Sequence, residues 1–330
     1  MVGRPSGVTQ PEGRVAGVQG AIPGDQLGFT LIHEHVACGS AGVLRSWPSL
    51  YGGHEHLVSE AARVLVEARA AGVRTIVDAT TFDLGRDIGI LREVAQRSGV
   101  QILACTGHWL FPAPTMLART TDQLAELFTH DLVEGADGTE IRAAVIKVAS
   151  EETVLPFEER VLVAAARASK ATGAPILTHS ATRNRVGEAQ AAILEREGVD
   201  PARVVIGHSD DSTEFDYLDG LARRGYGLGM DRLPNGAMPE YGSQGVDDRL
   251  DMIVRLVDAG HADKLMVAHD DPIWALLLTD EDQRRHVVAN PDRLAFVSRV
   301  ALPGLQRRGL TDAVIRQITV DNPRAWLAGA

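Results

Sequence analysis

An apolar run, Phe29-Thr-Leu-Ile-His-Glu-His-Val36, ends in two histidines one residue apart. In a strand, residues i and i+2 point to the same side, so His33 and His35 can both reach one ion. Taken alone the pattern more often means one satisfied core histidine and one facing solvent. Four further apolar runs, however, end in a ligand-type residue: Lys147, His179, His208 and Asp270. Four histidines, an aspartate and a lysine exceed the four ligands of a structural zinc, which usually include cysteine. They suit a two-metal site with open positions. For Lys147 taken by itself, an ion pair at a strand end is the alternative.

The elements that must carry these residues alternate along the chain. Short, mostly apolar runs are expected to form strands at Phe29–Val36, Val73–Asp78, Val100–Cys105, Ala143–Val148, Pro175–His179, Arg203–His208, Tyr226–Met230 and Lys264–His269. Between them, apolar residues at helical spacing predict helices over Leu57–Ala71, Arg86–Ser98, Thr121–Glu134, Phe157–Thr172, Asn184–Glu197, Phe215–Arg224 and Asp248–Ala259. Strands that read as continuous apolar runs imply a parallel sheet buried on both faces, and eight strand–helix units close into an α/β fold of (β/α)8 TIM-barrel type. A doubly wound sheet would usually show fewer units and a Gly-rich first turn, which is missing. Arg14 to Pro23 is Gly-punctuated and predicts a small N-terminal hairpin. Apolar helices near Leu294–Leu305 and Asp312–Gln317, and a short one opened by Pro323, are expected to close the barrel. Every candidate ligand falls at or just past the C-terminal end of a strand, the face on which barrel active sites form.

Composition narrows the classes. Hydrophobic residues at 45% and charged residues at 23% supply a full core, with disorder expected only in residues 1–12 of one domain spanning 1–330. The net charge of −11, without a basic cluster, argues against nucleic acid or an anionic membrane as partner. Two cysteines, Cys38 and Cys105, are too few for a disulfide framework and read as free thiols in a reducing compartment. No apolar segment of leader or membrane-span type is visible, so a cytoplasmic protein is expected.

Together the motifs Phe29-Thr-Leu-Ile-His-Glu-His-Val36, Val73-Arg-Thr-Ile-Val-Asp78, Leu84-Gly-Arg-Asp87, Ala144-Val-Ile-Lys-Val148, Ile206-Gly-His-Ser-Asp-Asp211 and Asn322-Pro-Arg324 resemble the phosphotriesterase family of the amidohydrolase superfamily. That family holds the bacterial phosphotriesterases and the phosphotriesterase-like lactonases, and the likeness runs from about Gly13 to Leu327. It implies that His33, His35 and Asp270 hold a buried divalent ion, that His179 and His208 hold an exposed one, and that Lys147, carboxylated by carbon dioxide, bridges the two. A lysine ammonium cannot ligate, whereas a carbamate has two oxygens to share. Zinc is the expected metal, with cobalt, manganese or iron compatible with the same donors. Between two such ions a bridging water ionises near neutral pH and becomes the nucleophile. Asp270 takes its proton and Asp211 is placed to pass it outward.

For the pocket, the resemblance makes Trp109, in Thr106-Gly-His-Trp109, an aromatic wall, with a buried core tryptophan as the alternative. Arg232, in Gly229-Met-Asp-Arg232, matches the lactonases, whereas the phosphotriesterases usually carry histidine there; arginine gives up no proton at pH 7. The loop Leu233–Gly245 reads as shorter than in the phosphotriesterases, while the segment from Cys38 to Pro48 resembles theirs. The expectation is a hydrolase of small neutral esters, lactones first and phosphotriesters second, with a true phosphotriesterase as alternative. Family resemblance also implies a homodimer. Two readings of other classes stand beside it: a metal-free Schiff-base aldolase using Lys147, and a non-catalytic metal or ligand binder. Of the remaining histidines, His54, His56, His108, His130, His261 and His286 match no ligand position.

Overall fold

The computed structural model describes residues 13–234, 244–275 and 277–329. The expectations for residues 1–12 and for most of the loop after Leu233 lie outside these. Two short strands, β1 (Arg14–Gly17) and β2 (Gly20–Pro23), pair antiparallel as the small hairpin. A separate sheet of nine strands is parallel and barrel-like. Strands β3 (Thr30–Cys38), β4 (Thr75–Asp78), β5 (Gln101–His108), β6 (Val145–Ser150), β7 (Ile176–Ser180), β8 (Val204–Ile206), β9 (Gly227–Met230) and β10 (Leu265–Val267) follow one another in chain order. A further strand, β11 (Pro272–Ala275), lies parallel to the other edge of β3.

The reason for this layering is in the side chains. All nine residues of β3 are buried, as are all of β4, β6, β7, β8, β9 and β10. Strands covered on both faces cannot alternate apolar with polar, so they appear in the sequence as unbroken apolar runs. Around them the expected helices form, at His54–Ala70, Ile88–Ser98, Thr121–Val133, Pro156–Thr172, Val186–Arg196, Phe215–Arg223 and Val246–Asp258. Their ends follow local chemistry: the Asp87 side chain accepts from Ile90 N, and Gly99 takes the left-handed conformation (φ 67°) that stops the same helix.

Several motif residues turn out to fasten the frame. Arg86, expected inside a helix, instead lies just before it, buried between Asp131 (2.9 Å) and Asp137 (2.8 Å) and donating to Cys105 O. Asn322 donates to Ala262 O and Leu265 O, both at 2.8 Å, and pins the terminal helix Asn322–Ala328 beneath β10. No described helix is long and apolar enough to cross a membrane.

The eighth strand differs from expectation. Instead of running through to His269 it ends at Val267, and the chain leaves the sheet before resuming as β11. Glu34 causes the break: Oε1 accepts both the backbone N–H and the Nδ1–H of His269 (3.0 and 2.6 Å). The barrel closes there through Asp270 N, which donates to His33 O at 3.0 Å. A helix at Asp280–Ala289, not anticipated, follows β11.

Candidate metal centre

His33 and His35 stand on β3 and Lys147 on β6, where strand pleating sends i and i+2 to one side. His179 lies near the end of β7. His208 lies two residues past β8, and Asp270 lies in the break after β10. The last two adopt left-handed backbone conformations, φ 58° and 50°, which residues other than glycine rarely take. Such conformations persist where surrounding bonds over-determine them. Here His208 N donates to Asp231 Oδ1 at 2.7 Å, alongside the Asp270 N–His33 O bond.

All six residues come together. Asp270 Oδ1 is 3.4 Å from His33 Nε2 and 3.2 Å from His35 Nε2, and Asp270 Oδ2 is 3.8 Å from His208 Nε2. Lys147 Nζ donates to His33 Nε2 at 2.8 Å, and His179 Nδ1 faces His208 Nε2 at 2.7 Å. His33, His208 and Asp270 each offer one donor atom, and these lie within 4.8 Å of one another.

The outer sides of these rings explain their inner sides. His33 Nδ1 gives its proton to Asp231 Oδ2 (2.8 Å) and His208 Nδ1 to Asp231 Oδ1 (3.0 Å). His35 Nδ1 meets Thr80 Oγ1 at 2.8 Å, and His179 Nε2 donates to Glu151 Oε1 at 3.2 Å. Once carboxylates hold the outer N–H groups of His179 and His208, their inner nitrogens present lone pairs to each other. Only a cation, a proton or a metal ion, relieves that contact. The donor set therefore fits divalent metal.

Burial sets the charge states. The His33 imidazolium is pushed down to about 4, first by burial and then by Lys147; burial also lowers His179 and His208. These rings are neutral at physiological pH, the form that ligates. Burial lowers Lys147 to about 8 despite the nearby Asp270 and Asp231 carboxylates. For Asp270 burial acts in the opposite sense, but His33, His35, His208 and Arg232 outweigh it and hold the carboxyl well below its usual range.

Asp211 and Arg232 sit beside this cluster. Arg232 Nε donates to Asp270 Oδ2 at 3.1 Å and its Nη1 to Asp211 Oδ2 at 2.5 Å, so a guanidinium lies between the two carboxylates. Arg249, fully buried, braces Asp211 (2.8 Å) and Asp210 (3.0 Å) from behind. Because arginine holds its protons, the contact from Asp270 to Asp211 is an electrostatic tie and not a proton wire.

Outside the cluster opens a cavity of about 590 Å³. Trp109 lines it, with its ring 5.9 Å from that of His179 and its backbone N held by Asp83. Leu84, Phe111, Leu155, Leu277 and Leu278 add apolar wall, and His286 from the unanticipated helix closes one side. Lys147 and Arg232 are the lysine and arginine lining it among the described residues.

Reasoning from sequence passed over Asp231, Thr80, Glu34 and Glu151. Glu34 and Asp231 carried a usable signal, as carboxylates in or beside fully apolar buried strands, where an unpartnered charge is not tolerated. Thr80 and Glu151, in loops, carried none. Of the remaining histidines, His269 is structural: its Nδ1–H goes to Glu34 and its Nε2 accepts from Val297 N.

Comparison with known proteins matches the phosphotriesterase family over residues 13–327. An aryldialkylphosphatase of Saccharolobus solfataricus is 35% identical over 314 residues, covering 93% of this chain and 97% of that protein. The phosphotriesterase homology protein of Mycobacterium tuberculosis is 35% identical over 319 residues, 93% of this chain and 95% of that one. An N-acetyltaurine hydrolase of Danio rerio is 27% identical over 356 residues, 97% and 99% of the two chains.

Proposed function

The chain belongs to the phosphotriesterase family of hydrolases, and on that premise we propose that it is a binuclear metal-dependent hydrolase that opens lactones, with phosphotriesters as a second substrate class. The observation that carries the reading is the pair His179 Nδ1 and His208 Nε2, 2.7 Å apart with both outer N–H groups committed to carboxylates. A hydrogen bond between the two rings would need one of them doubly protonated, a form their burial disfavours, so the pair fits two ligands to one ion better than a structural core or a metal-free aldolase.

In this reading His33, His35 and Asp270 would hold the inner ion and His179 and His208 the outer one, and Lys147, as its carbamate, would be a ligand available to both. Carbamate formation joins the neutral amine to the carbon of CO2 and releases one proton, and the buried, lowered Lys147 supplies that amine. Two divalent ions, when bound, supply Lewis-acid polarisation and lower the pKa of water from about 15.7 towards 7. Asp270, held ionised, accepts the proton of the attacking water, a role worth about 10²- to 10⁴-fold. Arg232 keeps Asp270 Oδ2 oriented toward the cavity, and Asp211 keeps Arg232 in place. Trp109, Phe111 and Leu155 offer apolar wall against which the acyl part of the substrate would lie.

Charge placement favours a neutral substrate. N-acetyltaurine carries a sulfonate, but the cavity's lysine and arginine, Lys147 and Arg232, both sit at the metal end, while Glu151 and Glu158 line the wall. Arg232, as in the lactonases, tips the balance from phosphotriesters toward lactones.

Parallel assays of an acyl-homoserine lactone, a δ-lactone and paraoxon on one metal-loaded preparation test this. The expected result is kcat/KM at least about tenfold higher for a lactone, about 1.4 kcal/mol in transition-state binding. Paraoxon turnover near about 10⁸ M⁻¹s⁻¹ with both lactones poor would make the protein a true phosphotriesterase instead.

A further inference from the structure

Each histidine of the centre turns one nitrogen inward and gives the other to an oxygen, but the four oxygens are not equivalent. Thr80 and Asp231 are buried, at 1% and 0% exposure. Glu151 is different: it lies just past β6, four residues beyond Lys147, with its side chain 52% exposed at the cavity wall. The backbone of His179 is fixed from behind by Gln190 Nε2, which donates to His179 O at 2.9 Å. What remains free is rotation of the ring, and Glu151 and the Trp109 edge are what meet it on the cavity side.

We propose that Glu151 is a positioning residue for the outer ion, holding His179 so that Nδ1 points at His208 Nε2, and that its solvent-facing place makes the outer ion the labile one of the two. The inference rests on the binuclear reading above. A carboxylate behind a ligating imidazole fixes its tautomer and raises its basicity, and losing such a partner typically costs about 10- to 100-fold in metal affinity. Asp231 does this for two rings from a dry position. Glu151 does it for one ring at a place where water competes for the same N–H. Exchange at the outer position is thus gated by a single exposed side chain, whereas the inner ion is guarded by buried ones.

Release of zinc from the loaded full-length protein to a chromogenic chelator tests this, comparing wild type with Glu151→Gln and Glu151→Ala. The wild type is expected to release two ions per chain in two phases. In Glu151→Ala the faster phase speeds up by about 10- to 100-fold and the slower is unchanged, with Glu151→Gln between, since its carbonyl still accepts a bond without the charge. A variant isolated with only one ion per chain supports the proposal equally. Unchanged release overturns it, as does equal acceleration of both phases, which would mean general loosening; an unaltered melting temperature excludes misfolding. Cobalt-loaded protein gives a second readout, a changed visible spectrum at one ion only. Wild type holding fewer than two ions would instead sink the binuclear reading, so the two failures are distinguishable.

Discussion

Asp231 Oδ2 accepts the Nδ1–H of His33 at 2.8 Å, across 198 positions of sequence, with both side chains out of solvent. The other oxygen of the same carboxylate takes the Nδ1–H of His208. One buried anion thus orients a ring on each side of the centre. Asp231→Asn replaces one acceptor oxygen with a donor, so one of the two rings must turn or change tautomer. The expected outcome is a folded protein that binds metal about 10- to 100-fold more weakly. Metal titration beside a thermal melt checks this, and wild-type affinity for both ions would refute it.

Lys147→Ala is expected to lose metal and activity together, because in the proposed centre its carbamate would serve both ions. A short carboxylic acid in the buffer should restore part of both by standing in for the carbamate. Two bound ions and full activity in the variant would show that Lys147 ligates nothing.

Neighbouring aspartates separate chemistry from structure. Asp270→Asn is expected to keep the fold and lower turnover by at least about 10²-fold, because an amide neither ligates well nor accepts the proton. Asp271 is held instead by Arg293 Nε (2.9 Å) and by His286. Asp271→Asn therefore leaves a buried guanidinium uncompensated, and stability should fall by about 3 kcal/mol. If Asp271→Asn kills catalysis while Asp270→Asn is normal, the assignment is off by one residue.

Gly107 pairs in register with Lys147, at φ 109°. A Cβ there would lie 1.9 Å from Lys147 O, so Gly107→Ala must push β5 from β6 at the ligand itself. The expected loss is at least about 3 kcal/mol, read by chemical denaturation. Wild-type stability would mean that the two strands yield more easily than their register implies.

The barrel was legible because burial on both faces writes strands as unbroken apolar runs, and the six clustered side chains were legible because each interrupts such a run at its end. What was not legible depends on partners far away in sequence. Glu34 looks like a spacer between His33 and His35, yet it takes two bonds from His269, 235 positions on, and breaks the eighth strand. Asp231 looked like part of a motif leading to Arg232, and its two histidines emerge only once β3, β8 and β9 are assembled. Similarly Arg86 has helical propensity, but Asp131 in a later helix and Asp137 in the turn after it outcompete it.

The central claim is that six side chains from five places in the barrel exist to hold two ions. Metal content per chain, measured on purified protein together with hydrolase activity, tests it most directly. The account predicts close to two divalent ions per chain, with activity lost on chelation and regained on adding metal. Close to zero ions with activity retained would contradict it.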